Sequence, residues 1–298
     1  MNSMPNAVRV FFTALLLASA STIAVAAQAN ASQAGAPVTK EVLVFGQKIN
    51  YAEAGSGPTV ILLHGLGGSW QSWHFNIAPL AEKYRVIVPD QIGFGKSDKP
   101  LVNYRIRTYV DFLDEFCKEL KIERATLVGN SMGGWIAAMF TAAFPDRVDK
   151  LVLVDAAGYT PPKDLDTRLL FSLNPTTKEE TKVLLAKVFY SKALQTDLAI
   201  KQSVAARLAA GDGYTIKSIT ESIIRGEDFL DDAVKNIRRP TLIVWGREDG
   251  LVALAEGQRF NKDIAGSKLI VFDQCGHVPN IEKATEFNAA VLKYLGEK

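Results

Sequence analysis

The sequence predicts an α/β fold: a mostly parallel sheet with helices on both faces, interrupted by a helical insert. Three observations carry this. Between Thr59 and Val154, short and continuously apolar runs alternate with helical patterns, as expected of strands buried on both faces. After Asp155 the alternation stops, and residues 158–239 contain helical patterns without a convincing buried strand. It then resumes with Thr241–Trp245 and Lys268–Phe272, and the chain ends in a helical pattern from Ala284 to Leu295.

Taken in order, Glu41–Phe45 and Lys48–Glu53 flank Gly46-Gln47, a hairpin signal. The buried strands follow at Thr59–Leu63, Arg85–Val88, Ala125–Val128 and Lys150–Val154. Between them, Tyr104–Leu120 places Val110, Leu113, Phe116, Cys117 and Leu120 on one helical face. Inside the insert the helical patterns run over Lys178–Tyr190, Lys192–Ala209 and about Ile216–Arg225, with Pro161-Pro162 opening the stretch and Pro240 closing it. The expected organisation is a core of residues 32–157 and 240–298 with a helical cap over 158–239. Apolar positions of the cap such as Leu169, Leu170, Phe171, Leu184, Leu185, Val188 and Phe189 are expected to divide between its own small core and the crevice below.

The first 31 residues read differently. Arg9 is the only charge before Lys40, an apolar run from Val10 to Ala20 follows it, and Ala24-Val-Ala26 and Ala29-Asn-Ala31 fit a small-x-small cleavage pattern. This is the layout of a cleaved secretory signal, too short in its apolar part for a membrane span. It predicts export to the periplasm or beyond, with no stable membrane span after cleavage. The other 267 positions hold 33 basic and 32 acidic residues, because the chain totals are 34 and 32 and Arg9 is the one charge removed. Neither a basic stripe for nucleic acid nor an acidic tail is present. Two cysteines, Cys117 and Cys275, are too few for a disulfide framework and are expected as unpaired, mostly buried thiols.

Three segments carry chemistry. Gly129-Asn130-Ser131-Met132-Gly133 follows one strand directly and precedes a helix. A strand-to-helix turn this tight admits only very small side chains beside the serine, and it lifts the hydroxyl clear of the sheet edge as a nucleophile. The helix behind it points its N-terminus at the site, which favours developing negative charge. His64-Gly65-Leu66-Gly67-Gly68 follows the strand Thr59–Leu63 and is a loop through which backbone N–H groups can approach a substrate oxygen. The oxyanion donors are assigned to the backbones of Leu66 and Met132, with Gly67 the alternative to Leu66. The side chain of His64 is expected to bond its own loop. Asp273-Gln-Cys-Gly-His277 follows the last strand. His277 is the expected general base among only three histidines, because His74 lies in a helical stretch where a packed or surface histidine is expected. The acid that orients it is Asp249, in Gly246-Arg-Glu-Asp249, with Asp155 the rival and Glu248 expected to point elsewhere. No metal cluster or nucleotide-binding loop is present, so no cofactor is expected.

Together with Pro89-Asp90-Gln-Ile-Gly93-Phe-Gly95-Lys-Ser97, these pieces make the stretch from Tyr51 onward resemble the α/β-hydrolase superfamily, in the lid-bearing branch. That branch includes carboxylesterases, lipases, meta-cleavage-product C–C hydrolases, haloalkane dehalogenases and epoxide hydrolases. The resemblance implies an eight-stranded, mostly parallel sheet and a helical lid, and it supports Asp249 as the acid. Dehalogenases and epoxide hydrolases carry aspartate at the elbow, where this chain has Ser131. The expected function is therefore a serine hydrolase cleaving carboxylic esters of short to medium acyl chain through an acyl-enzyme. The alternative is a C–C hydrolase of the meta-cleavage-product type, which the Gly-Asn-Ser-Met-Gly-Gly run suits and an export signal disfavours. The expected partner is a small-molecule substrate, with no nucleic acid, and the sequence leaves the oligomeric state open.

Overall fold

The computed structural model describes residues 36–162, 164 and 166–297; the signal reading of residues 1–31 lies outside them. Eight strands form one sheet in the order β1-β2-β4-β3-β5-β6-β7-β8. They are β1 (Val38–Val44), β2 (Gln47–Ala54), β3 (Thr59–Leu63), β4 (Arg85–Pro89), β5 (Ala125–Asn130), β6 (Val148–Val154), β7 (Thr241–Gly246) and β8 (Lys268–Phe272). Only β2 runs against the rest, pairing antiparallel with both β1 and β4. The six strands from β4 across to β8 are mutually parallel.

The apolar runs are continuous because both faces are covered. Along each strand, alternate residues enter two separate cores. Ile61, Leu63, Leu127, Leu151, Leu153, Ile243 and Trp245 pack with α2 (Ile106–Glu119), α3 (Met132–Ala143) and α8 (Leu254–Asp263). Val60, Leu62, Val128, Val152, Val154, Leu242 and Val244 pack with α1 (His74–Ala81) and α10 (Ala284–Gly296). A one-residue slip would exchange the two sets, so packing fixes the register.

Residues 158–239 contain α4 (Thr167–Phe171), α5 (Lys178–Val188), α6 (Asp197–Ala210) and α7 (Gly213–Ile224), with no strand among the described residues. The helical pattern read as continuous from Lys192 is broken at Thr196. Its hydroxyl accepts from the Ala199 N–H and caps α6, leaving a single 3₁₀ turn at Lys192–Leu194. The helix after the elbow starts at Met132, and the first strand extends back to Val38 from the expected Glu41. Phe171 is 50% exposed, so it is not part of a packed core. No helix among the described residues is long and apolar enough to cross a membrane.

Strand order reverses at β3, whose neighbours are β4 on one side and β5 on the other. In an open α/β sheet, the crevice outside the carboxyl ends at such a reversal is where ligands bind. The segments His64–Gly68 and Ser131 lie at the ends of β3 and β5.

Candidate active site

Ser131 adopts φ 56° and ψ −120°, a left-handed conformation unusual for a residue with a side chain. Holding it there costs about 1–3 kcal/mol, which the surroundings must supply. They do so by hydrogen bonds and crowding. The Ser131 N–H donates to Val154 O (3.0 Å), and its carbonyl accepts from Trp135 N (3.1 Å) and Ala157 N (3.2 Å). A Cβ at Gly129 would stand 2.2 Å from the Gly133 carbonyl oxygen, and one at Gly133 would stand 2.2 Å from that of Leu63. The two elbow glycines are therefore required sterically, as the spacing implies.

Asp249 and His277 lie on the loops that follow β7 and β8, beyond β6 from the elbow. His277 and Asp249 meet through Nδ1 and Oδ2 at 2.7 Å, and both side chains are buried. Oδ1 of Asp249 accepts from the N–H groups of Leu251 (2.7 Å) and Val252 (3.0 Å). With Nδ1 donating to the carboxylate, the other ring nitrogen is left as the proton acceptor. Glu248 turns away and accepts from Cys275 N (2.9 Å), as expected. Asp155 is not bonded to His277; its Oδ1 accepts from Gly246 N (2.9 Å). The loops carrying Asp249 and His277 approach so closely that a Cβ at Gly246 would lie 1.9 Å from the Gly276 carbonyl oxygen.

Among the described residues, no acceptor is found within the protein for the N–H of Leu66, Gly67 or Met132. Both sides of an oxyanion pocket are thus available, one on the β3 loop and one at the N-terminus of α3. Gly65 brings the loops together: a Cβ there would stand 3.2 Å from that of Ser131. His64 is fully buried, with Nδ1 on Gly65 O (2.8 Å) and Nε2 accepting from Gln91 N (3.1 Å). Burial pushes its pKa below the usual imidazole value, so it stays neutral and shapes the loop. His74 is exposed and faces the ring of Phe75.

Three residues at the site had no sequence signal of their own. Asn130 Nδ2 donates to His277 O (3.0 Å), tying the elbow to the base loop. Glu282 Oε2 accepts from Gly276 N (2.7 Å) and its Oε1 from Ser191 N (2.8 Å), joining the base loop to the helical segment. Arg207 on α6 lies over the β3 loop, where a Cβ at Gly67 would meet its Nη1 at 2.5 Å. It pairs with the buried Asp212 through Nη2, while its Nε has no partner. These contacts join elements far apart in sequence, and only the placement of Asn130 inside the elbow pattern could have singled one out. The helical segment also grips the site through α5, where Lys187 O accepts from Gly250 N (3.1 Å) and Val188 O from His277 N (2.8 Å).

Among the described residues, one cluster of three acidic or histidine groups brings donor atoms near enough to share a metal ion: Asp155, Asp249 and His277. Its tightest contact is the 2.7 Å hydrogen bond between His277 Nδ1 and Asp249 Oδ2. Both thiols are free and buried. Burial pushes Cys117 up to about 12, and burial followed by the charge of Glu282 pushes Cys275 higher still. A negligible thiolate fraction remains near neutral pH. A disulfide-exchange reagent at pH 8 is therefore expected to find no reactive thiol in the native protein and both after denaturation. Rapid native reaction at Cys275 would show that the base loop opens.

The profile of the family described as alpha/beta hydrolase fold matches residues 58–284. The 2-hydroxymuconate semialdehyde hydrolase of Pseudomonas sp. (strain CF600) is 30% identical, covering 90% of this chain and 97% of the relative. The 2-hydroxy-6-oxo-6-phenylhexa-2,4-dienoate hydrolase of Comamonas testosteroni is 34% identical, covering 84% of this chain and 92% of the relative. A solved meta-cleavage product hydrolase superposes with a TM-score of 0.81 at 34% identity, over 88% of this chain and 99% of that one. An eight-stranded sheet of this order, a strained serine at the end of β5 and these likenesses lead to one conclusion: the chain belongs to the α/β-hydrolase family and is a hydrolase.

Proposed function

We propose that this hydrolase cleaves a carbon–carbon bond beside a ketone, in acids of the 2-hydroxy-6-oxo-dienoate class, with Ser131, His277 and Asp249 as its triad. The observation that carries the reading is that relatives covering 84–90% of this chain are named for hydrolysis of such compounds. That weighs more than the preference for esters suggested by an export signal, because it bears on the reaction and the signal bears on place.

The substrate class fits the site. Its keto tautomer places a carbonyl at C6 next to a saturated C5. Attack on C6, by Ser131 Oγ or by a water that His277 deprotonates, gives a tetrahedral oxyanion for the Leu66 and Met132 N–H groups. When the C5–C6 bond breaks, its electron pair passes through the C3=C4 bond to the C2 oxygen, and a proton restores the dienol. One water is consumed, and a carboxylic acid and a 2-hydroxydienoate leave. The C1 carboxylate requires a cation, and Arg207 stands beside the oxyanion loop with an unpartnered Nε–H. The 158–239 segment then acts as the cap that encloses the dienoate.

The test sets 2-hydroxy-6-oxo-6-phenylhexa-2,4-dienoate, followed by loss of its dienolate absorbance, against p-nitrophenyl butyrate. The expected kcat/KM ratio is at least about 100 in favour of the dienoate, roughly 2.7 kcal/mol of transition-state binding. A ratio inverted in favour of the ester would restore ester hydrolysis as the function.

A further inference from the structure

One titratable group at the site has no part in the chemistry above. Asp155 directly follows β6, has φ 43° and is fully buried. Its Oδ1 accepts from Gly246 N, while its Oδ2 is sealed from solvent with no partner. Donor atoms of Asp155, Asp249 and His277 all lie within 4.8 Å of one another. Two carboxylates enclosed together do not both ionise; they share a proton. Asp249 accepts from Leu251 N, Val252 N and His277 Nδ1, and Asp155 from Gly246 N alone. The better-solvated member keeps the charge, so the proton resides on Asp155.

We propose that Asp155 is a positioning residue of the triad, whose Oδ2 hydroxyl donates a hydrogen bond to the Asp249 carboxylate and holds it in line with His277. The chain of donors then runs from Asp155 to Asp249, with His277 donating from the opposite side. The proposal rests on Ser131, His277 and Asp249 working as a triad, but not on which bond the enzyme cleaves.

The other titratable groups near Asp155 are consistent with a neutral acid. Glu282, on the short helix α9 (Pro279–Glu282), adds a further negative charge, and the Cys275 thiol is uncharged. The elbow side is apolar, with Ala156 packed on Gly134. Burial first, then the charge of Asp249, pushes the Asp155 carboxyl well above the usual carboxylate range, and the Gly246 N–H only partly opposes them.

Asparagine mimics the neutral acid. Its oxygen accepts from Gly246 N, its amide donates to Asp249, and it tolerates positive φ better than most residues. Alanine supplies neither bond. The measurement is the second-order rate of inactivation by a fluorophosphonate between pH 5 and 9, which reports Ser131 reactivity whatever the natural substrate. Asp155→Asn is expected to stay within about threefold of the parent with its acid limb unmoved, and Asp155→Ala to fall at least about tenfold. If Asp155 were ionised, Asp155→Asn would remove an anion beside the imidazole. The limb would then drop by about one pH unit or more, which overturns the proposal. Parent-like rates in Asp155→Ala would overturn it too.

Infrared difference spectra of parent against Asp155→Asn provide an arm independent of activity, and they serve if Asp155→Ala fails to fold. The protonated-carboxyl carbonyl band is expected at pH 7 in the parent and missing in the variant. Its absence from the parent overturns the proposal. Its presence without any fluorophosphonate labelling at Ser131 would locate the failure in the triad reading instead.

Discussion

Replacing Ser131 by alanine is expected to lower kcat by about five to six orders of magnitude and to abolish fluorophosphonate labelling. The elbow exists to present one hydroxyl. The backbone strain at φ 56°, the hydrogen bond from the Ser131 N–H to Val154 O, those its carbonyl accepts from Trp135 and Ala157, and the two sterically required glycines serve no other side chain. The fold should survive, since every one of those backbone hydrogen bonds remains and alanine occupies less space. Thermal unfolding should therefore match the parent within a few degrees, about 1 kcal/mol or less. Labelling of the variant at the parent's rate would remove Ser131 from its role.

Asp249→Asn is expected to cost roughly three to four orders of magnitude in kcat. An amide nitrogen facing Nδ1 would favour the tautomer whose proton sits on the wrong side of the ring, leaving no acceptor for the Ser131 proton. The amide keeps an acceptor for Leu251 and Val252, so the loop should hold its shape and binding should change less than turnover. Asp155→Asn and Glu248→Gln should be mild by comparison, because neither side chain bonds His277. In the parent, the rate should fall on the acid side, where the imidazole takes up a proton and loses its acceptor. An Asp249→Asn enzyme with nearly normal turnover, beside a dead Asp155→Asn, would move the acid to β6.

The strands were legible because burial on both faces writes itself as an unbroken apolar run: Thr59–Leu63 and Thr241–Trp245 could be little else. Elements with fewer buried positions left weaker traces. The helix Leu254–Asp263 buries only Gly257 and Phe260, and Thr167–Phe171 buries none, so neither leaves an apolar face to read. The same contrast holds at the site. Ser131, His277 and Asp249 stand in short patterns at strand ends, where local spacing reflects local geometry. Glu282 and Arg207 act through contacts with elements far along the chain, and no local pattern encodes such a meeting. Asp155 was visible as a carboxylate at a strand end, but its relation to Asp249 depends on a sheet register that only the folded chain sets.

The docking of α5 on the two loops limits how this enzyme could be re-engineered. The carbonyls of Lys187 and Val188 are acceptors for the backbone of Gly250 and His277, and Glu282 reaches across to Ser191. A chimera that transplants the whole 158–239 segment from a relative would exchange part of the scaffolding around His277 along with the rest of the segment. The workable graft begins after Gln195, replacing α6 and α7 and leaving α5 native. Contacts made by α6 and α7 would then be altered separately from those that hold the His277 loop, with the boundary between the two falling inside the 158–239 segment rather than at its edge.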